Sequence, residues 1–264
     1  MLPKLQSVQT YFDSDAGRYG DQRYPEDPKT CEQFSYLVRR RYVLDMLGRG
    51  APKPGRVLDL GCGPGVYTKD LLDRGWQLWG VDIAPKMLKV AQGRTEGRPG
   101  AGFAVGQTTK LPFASASFDA VVCIGVLAYV ESEQQTIREI ARMLKPGGCA
   151  VIQIMNFWAP IRAEYRLRWE VGKRLRKGPP DEEDKLREQV RLAAQVPGPF
   201  TRLCTHEGFK VHERRFYDFR MPGLAYLWPG GGLALGRAFE PVGDQTWLGW
   251  WGAGFLTRLE KVRG

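Results

Sequence analysis

The stretch Val57-Leu58-Asp59-Leu60-Gly61-Cys62-Gly63-Pro64-Gly65 is an apolar strand that runs straight into a loop with glycine at alternate positions. Only glycine lets the backbone turn this tightly while a ligand lies against it. Seventeen residues beyond Gly65 the next strand ends in Trp79-Gly80-Val81-Asp82, where a carboxylate can accept two hydrogen bonds from a ribose diol. A dinucleotide site expects G-x-G-x-x-G with a pyrophosphate on the following helix, but here the third glycine comes one residue early and position 66 is valine. Together the two features point to a nucleoside ligand without a phosphate bridge, and they weaken a nicotinamide reading.

Such a loop needs a sheet to hold it. From Arg56 to Met155 short β-rich runs alternate with helical segments, the signature of βαβ units around a parallel sheet. The expected strands are Arg56 to Leu60, Gln77 to Asp82, Gly102 to Gly106, Phe118 to Gly125 and Cys149 to Met155, with helices at Val66 to Arg74, Pro85 to Gly93 and Glu131 to Leu144. Right-handed crossovers then wind helices over both faces. Around this core (residues 51–155) the pattern predicts an N-terminal arm and helix (1–50), the helix spanning Cys31 to Leu47, and a helical cap insertion (156–197). The cap comprises Ile161 to Lys177 and Asp181 to Val196, joined by Gly178-Pro179-Pro180. Residues 198–264 supply a helix, Pro199 to Glu207, and two strands, Phe209 to Phe219 and Phe255 to Val262, separated by a Gly- and Trp-rich loop.

The chain has 264 residues, of which 43% are hydrophobic and 26% charged, which excludes disordered and collagen-like classes. Thirty-nine Lys and Arg against twenty-nine Asp and Glu give a net charge of +10, which favours an anionic partner or substrate without choosing among them. The five cysteines form no CxxC pair, so reduced thiols, a cytoplasmic location and no metal site are expected. The first fifteen residues lack a basic region followed by an apolar run, and the late uncharged stretch from Met221 is broken by Pro and Gly, so neither a signal peptide nor a membrane span is expected.

Four landmarks in order, VLDLGCGPG, GVDIAPKML, LPFASASFDAVVCIGVLAYV and the LKPGG turn at Leu144 to Gly148, resemble the class I S-adenosylmethionine-dependent methyltransferases. The resemblance implies a Rossmann-like, seven-stranded, mostly parallel sheet whose last strand is antiparallel, with the cofactor across the carboxyl ends of strands one, two and four. It implies that Gly61, Cys62, Gly63 and Gly65 form the cofactor loop, and that Asp59 orients that loop and the methionine end. Asp82 would take the ribose and Ile83 the adenine face. Gln107 and Thr108 occupy the place where many relatives have Asp for the adenine amino group, a departure that keeps an acceptor and loses a charge. Cys123, Ile124 and Gly125 would border the methionine moiety.

For the chemistry, a sulfonium methyl is already activated, so transfer needs alignment and desolvation more than acid-base machinery. His206 and His212, the only histidines, fall in no family motif. Tyr129 takes a position where relatives often have His, and Tyr11, Tyr19 and Tyr24 resemble lid tyrosines, with packing as the competing role. Arg40 or Arg41 would meet the cofactor carboxylate or lie on a solvated helix face. The cap, with seven Lys or Arg against two Glu from Arg162 to Lys177, chooses the substrate or covers the site. Trp228, Trp247, Trp250 and Trp251 offer an apolar wall, a core or a dimer contact. The reading is methylation, at oxygen before carbon or nitrogen, of a small or lipid-like acceptor that is open to being anionic, with S-adenosylhomocysteine as product. An RNA or protein methyltransferase and a non-catalytic cofactor-binding module are the alternatives, although no appended RNA-binding motif is present and nucleic acid is not the expected partner.

Overall fold

The computed structural model describes residues 3–51, 53–96, 98–175, 184, 186, 194–244 and 248–262. Seven strands form one sheet: β1 (Arg56–Leu60), β2 (Gln77–Asp82), β3 (Ala101–Val105), β4 (Phe118–Cys123), β5 (Leu144–Met155), β6 (Phe209–Tyr217) and β7 (Gly254–Lys261). Their order is β3-β2-β1-β4-β5-β7-β6, and β7 runs opposite to the other six. The central strands are continuous apolar runs because both faces are covered. On one face Leu58, Leu60, Val121, Cys123 and Ile152 pack against Ile137, Ile140 and Met143 of α6 (Glu133–Met143) and Phe200 of α8 (Pro197–His206). On the other, the alternate residues Val57, Ala120, Val122 and Val151 pack against Val43, Met46 and Leu47 of α3 (Cys31–Gly50).

Two of the helices packed on the sheet start on a side-chain cap that satisfies a free amide. The Ser132 hydroxyl accepts from the Gln135 amide (3.2 Å) at α6, and Thr30 does the same for Gln33 (3.1 Å) at α3. The helix after β1, α4 (Thr68–Asp73), starts two residues later than expected, because Gly65 and Thr68 spend their amides in turns to Cys62 (3.0 Å) and Gly65 (3.2 Å). The N-terminal arm is helical, α1 (Pro3–Asp15) and α2 (Tyr19–Arg23), and α1 is latched to α5 (Pro85–Arg94) by Asp13, whose carboxylate accepts from the Lys86 amide (2.9 Å). The last expected loop is largely helical, with α9 (Leu224–Leu227) and α10 (Pro229–Phe239), the latter led by a proline that tolerates the first helical position. The LKPGG segment enters β5 rather than standing apart as a turn, with Gly147 at φ +77° and a register shift opposite Phe118 and Ala120.

The cap's first helix is α7 (Pro160–Leu175). Its second expected helix and the Gly178-Pro179-Pro180 joint lie largely outside the described residues, as does Trp247. No helix among the described residues is long and apolar enough to cross a membrane.

Asp119 ties three parts of the sheet. Its carboxylate accepts from the Arg56 amide (2.8 Å) and from Lys145 Nζ (2.6 Å), so hydrogen bonding and the nearby ammonium hold it below the usual carboxylate range against the cost of its partial burial. Its folded pKa is depressed, so its stabilisation is present above about pH 4 and fades as the pH falls through the folded value. Asp119→Ala is expected to cost about 1–3 kcal/mol in urea denaturation at pH 7, a deficit that shrinks on acidification below about pH 4.

Candidate active site

A cleft opens at the carboxyl ends of β1, β2 and β4. The glycine loop, Asp82 and Ile83, Gly106 to Thr109, and Ile124 to Val126 line it, together with Leu5, Val8, Phe12, Tyr19, Tyr24 and Arg39 of the N-terminal segment. The loop is laced to β2, since the amides of Gly61 (2.7 Å) and Cys62 (3.1 Å) both donate to the Val81 carbonyl. Gly61, at φ +72°, also lies against Val126, where a Cβ would come within 2.2 Å of Cγ2. Gly63, at φ +52°, faces open space.

Asp82 accepts from the amides of Gly63 (2.8 Å) and Ala84 (2.9 Å), one on each oxygen. Burial raises its pKa against those hydrogen bonds. A carboxylate has about four lone-pair sites, so two remain for a diol. Asp59 is fully buried in the cleft wall, its Oδ2 has no partner, and burial together with the Asp82 charge pushes it up to about 7.

Arg39 is the second buried charge of the cleft. Its guanidinium donates to the Tyr24 hydroxyl and stacks 4.7 Å from the Tyr36 ring centroid, its Nε has no partner, and no carboxylate pairs with it among the described residues. The orphan Tyr67 hydroxyl belongs to the same wall. Arg40 and Arg41 take the helix-face alternative instead: Arg40 binds Asp70 (2.6 Å) and the exposed Arg41 binds Glu240.

Of the other expected residues, Cys62, Ile83, Gln107, Thr108, Ile124, Gly125, Tyr19 and Tyr129 line the cleft. Gly65 and Cys123 do not. Gly65 is packed on Ala91 and Thr68, and Cys123, the last residue of β4, points into the core on the α6 face. Burial raises the Cys62 thiol, so it is no ready nucleophile. Gln107 is exposed at the rim, and the Thr108 hydroxyl is shared with Thr136 (3.1 Å). The Phe12 ring sits edge-on to Tyr129 (5.0 Å) and to Tyr19 (6.0 Å), so the lid closes through aromatic contacts. Tyr11 and both histidines lie outside the wall. Sequence reasoning missed Leu5, Val8 and Phe12, although their three- and four-residue spacing was a usable helical signal.

Residues 58–152 match the profile of a methyltransferase domain. The chain is 40% identical over 129 residues to the demethylmenaquinone methyltransferase of Beutenbergia cavernae, covering 48% of this chain and 51% of that protein. It is 33% identical over 171 residues to the ubiquinone biosynthesis O-methyltransferase of Xanthomonas axonopodis pv. citri, covering 62% and 69%. The chain thus spans about half the length of the demethylmenaquinone methyltransferase and more than two thirds of the ubiquinone enzyme. Magnesium protoporphyrin IX methyltransferase from Synechocystis PCC 6803, with bound S-adenosylhomocysteine, shares the fold at a TM-score of 0.67 and 16% identity, over 98% of this chain and 99% of that one. The cyclase SpnF shares it at 0.63 and 18%, over 100% and 98%. The chain belongs to the class I S-adenosylmethionine-dependent methyltransferases.

S-adenosylmethionine is the cofactor that membership carries, and the cleft fits it. Asp82 can take the ribose diol, open space at Gly63 leaves room beside the loop, and Asp59 and Arg39, each with a buried polar atom that lacks a partner, carry the signs needed by an ammonium and a carboxylate. Because its folded pKa is raised, Asp59 favours the fold at low pH, and that contribution is lost as the pH rises toward about 7. Asp59→Asn is therefore expected to raise the melting temperature of the ligand-free protein at pH 8 and to weaken S-adenosylmethionine binding at the same pH. Scanning calorimetry with titration calorimetry checks both, and a variant less stable at pH 8 would contradict the assignment.

Proposed function

We propose that the protein transfers the methyl of S-adenosylmethionine to a small or lipid-like organic acceptor, at a hydroxyl oxygen. The observation that carries this reading is that one cleft is lined both by charged groups, Asp59, Asp82 and Arg39, and by apolar and aromatic side chains, Leu5, Val8, Phe12, Tyr19 and Tyr129. A water-soluble polar acceptor would gain little from those apolar side chains, whereas a ring or alkyl chain is desolvated against them. The names of the quinone-pathway relatives support the same acceptor class.

When bound, the cofactor supplies a sulfonium methyl poised for in-line displacement. The chain's own contribution is positioning. Arg39 and Asp59 hold the amino-acid head, Asp82 the ribose, and α1 excludes water. The Tyr129 phenol, kept protonated by burial, can donate to the acceptor oxygen or orient it. Glu131, exposed at the edge of the cleft two residues farther on, is the lining carboxylate from which an acceptor proton can reach solvent. A cytoplasmic location belongs to the same reading.

Incubation with S-adenosylmethionine and a panel of alkyl-substituted phenols and hydroquinones, followed by mass spectrometry, is expected to show gain of one methyl on oxygen. Tyr129→Phe should lower kcat/KM about ten-fold with S-adenosylhomocysteine affinity unchanged. Cofactor binding with no methyl loss to any acceptor class would instead indicate a non-catalytic module, and salt-sensitive methylation of RNA would move the acceptor to nucleic acid.

A further inference from the structure

Ten large apolar side chains are exposed among the described residues, and eight of them lie just before α7, on α7 or in the long connection between β6 and β7. Phe157 and Trp158 precede α7. Leu167 (65% exposed), Val171 and Leu175 (77%) recur every fourth residue along α7 and so share one face. Leu227, Trp228 (64%) and Trp250 come from the connection between β6 and β7.

The fold gathers these segments around one helix. Asn156 Nδ2 sits 2.8–3.3 Å from the carbonyl oxygens of Gly249, Trp250 and Gly252, which brings the backbone at Trp250 to the residue that precedes Phe157 and Trp158. Glu164 of α7 accepts from the Gly223 amide (2.7 Å), which holds the start of α9, and with it Leu227 and Trp228, against α7. Ala159, Ile161 and Tyr165 pack with Ala253 beneath. All of this lies at the carboxyl end of β5, the same edge of the sheet that holds the cleft, and Gln153 of β5 accepts from the Gly125 amide in the cleft wall (2.9 Å).

The rim of the face is cationic. Of the five Lys or Arg of α7, Arg162 is partly buried and Arg168 and Lys173 pair with Glu164 and Glu170, so the net positive charge of the exposed side comes from Arg166 and Arg174. The Arg166 guanidinium lies 5.3 Å from the Phe157 ring centroid, while Arg168, paired with Glu164 (2.5 Å), and Arg174 flank the apolar stripe on opposite sides.

We propose that this face docks on an anionic phospholipid bilayer, with the leucines in the acyl boundary, the tryptophans at headgroup depth and the arginines on lipid phosphates. Charge decides against a second copy as occupant, because an identical rim on a chain of net charge +10 would meet itself. The proposal goes beyond methyl transfer and stands whatever the acceptor.

Flotation of the full chain with vesicles tests it. Binding is expected to phosphatidylcholine mixed with phosphatidylglycerol, with little to phosphatidylcholine alone or to vesicles in high salt. Leu167→Asp with Leu227→Asp should abolish it, and Arg166→Gln with Arg174→Gln should weaken it by about five-fold per arginine, the equivalent of about 1 kcal/mol per basic residue at an anionic surface. Unchanged calorimetric binding of S-adenosylhomocysteine shows that each variant is folded. Failure to bind anionic vesicles, or binding indifferent to lipid charge or to the leucine pair, would overturn the proposal. So would a dimer in sedimentation that the leucine pair dissociates, which would give the face to a second copy.

Discussion

Two buried charges of opposite sign, the Asp59 carboxylate and the Arg39 guanidinium, stand in one cleft without an ion-pair partner among the described residues. Burying a charge without a partner is costly, and a fold keeps such groups where a ligand completes them. A carboxylate that burial lifts to about 7 and an arginine held among tyrosines are what a zwitterionic amino-acid head would meet. The rest of the fold keeps both in place. β1 delivers Asp59 from the centre of the sheet, where it shares a face with Val57, and α3 brings Arg39 down on that same face through Val43, Met46 and Leu47. The Tyr24 hydroxyl, from the turn after α2, then fixes the guanidinium.

The Asp82 carboxylate does the same for the nucleoside side by different means. Its two backbone partners lie on the loop after β1 and on the start of α5, so one side chain spaces the two segments between which a ribose would sit. The lid depends in turn on α5, because Asp13 of α1 occupies an amide at the N-terminal end of that helix. Cofactor loop, ribose carboxylate and lid are thereby coupled through short backbone contacts rather than through long surface ion pairs.

Much of this was legible in the sequence, for local reasons. A strand, a glycine loop, a helix and a second strand ending in Asp are contiguous, so Asp59, Gly61, Gly63 and Asp82 are positioned by a single βαβ unit. What failed was whatever depended on facing. The run Arg39-Arg40-Arg41 offers three identical side chains 100° apart on one helix, and only packing decides that Arg39 turns to the cleft while Arg40 reaches Asp70. Cys123 was misplaced because strand residues alternate faces, and the face of β4 that reaches the cleft is carried by its neighbour Ile124. The Pro229–Phe239 helix was hidden by three glycines whose low helix propensity is overridden in the folded chain.

The charge complementarity of the cleft is tested most directly by titration calorimetry of S-adenosylhomocysteine against 5′-methylthioadenosine, which lacks the amino-acid head, in the wild type and in Arg39→Gln. If Arg39 holds the carboxylate, the substitution costs S-adenosylhomocysteine about 2 kcal/mol, about thirty-fold in affinity, and leaves methylthioadenosine unchanged. Equal losses for both ligands, or none for either, would contradict it.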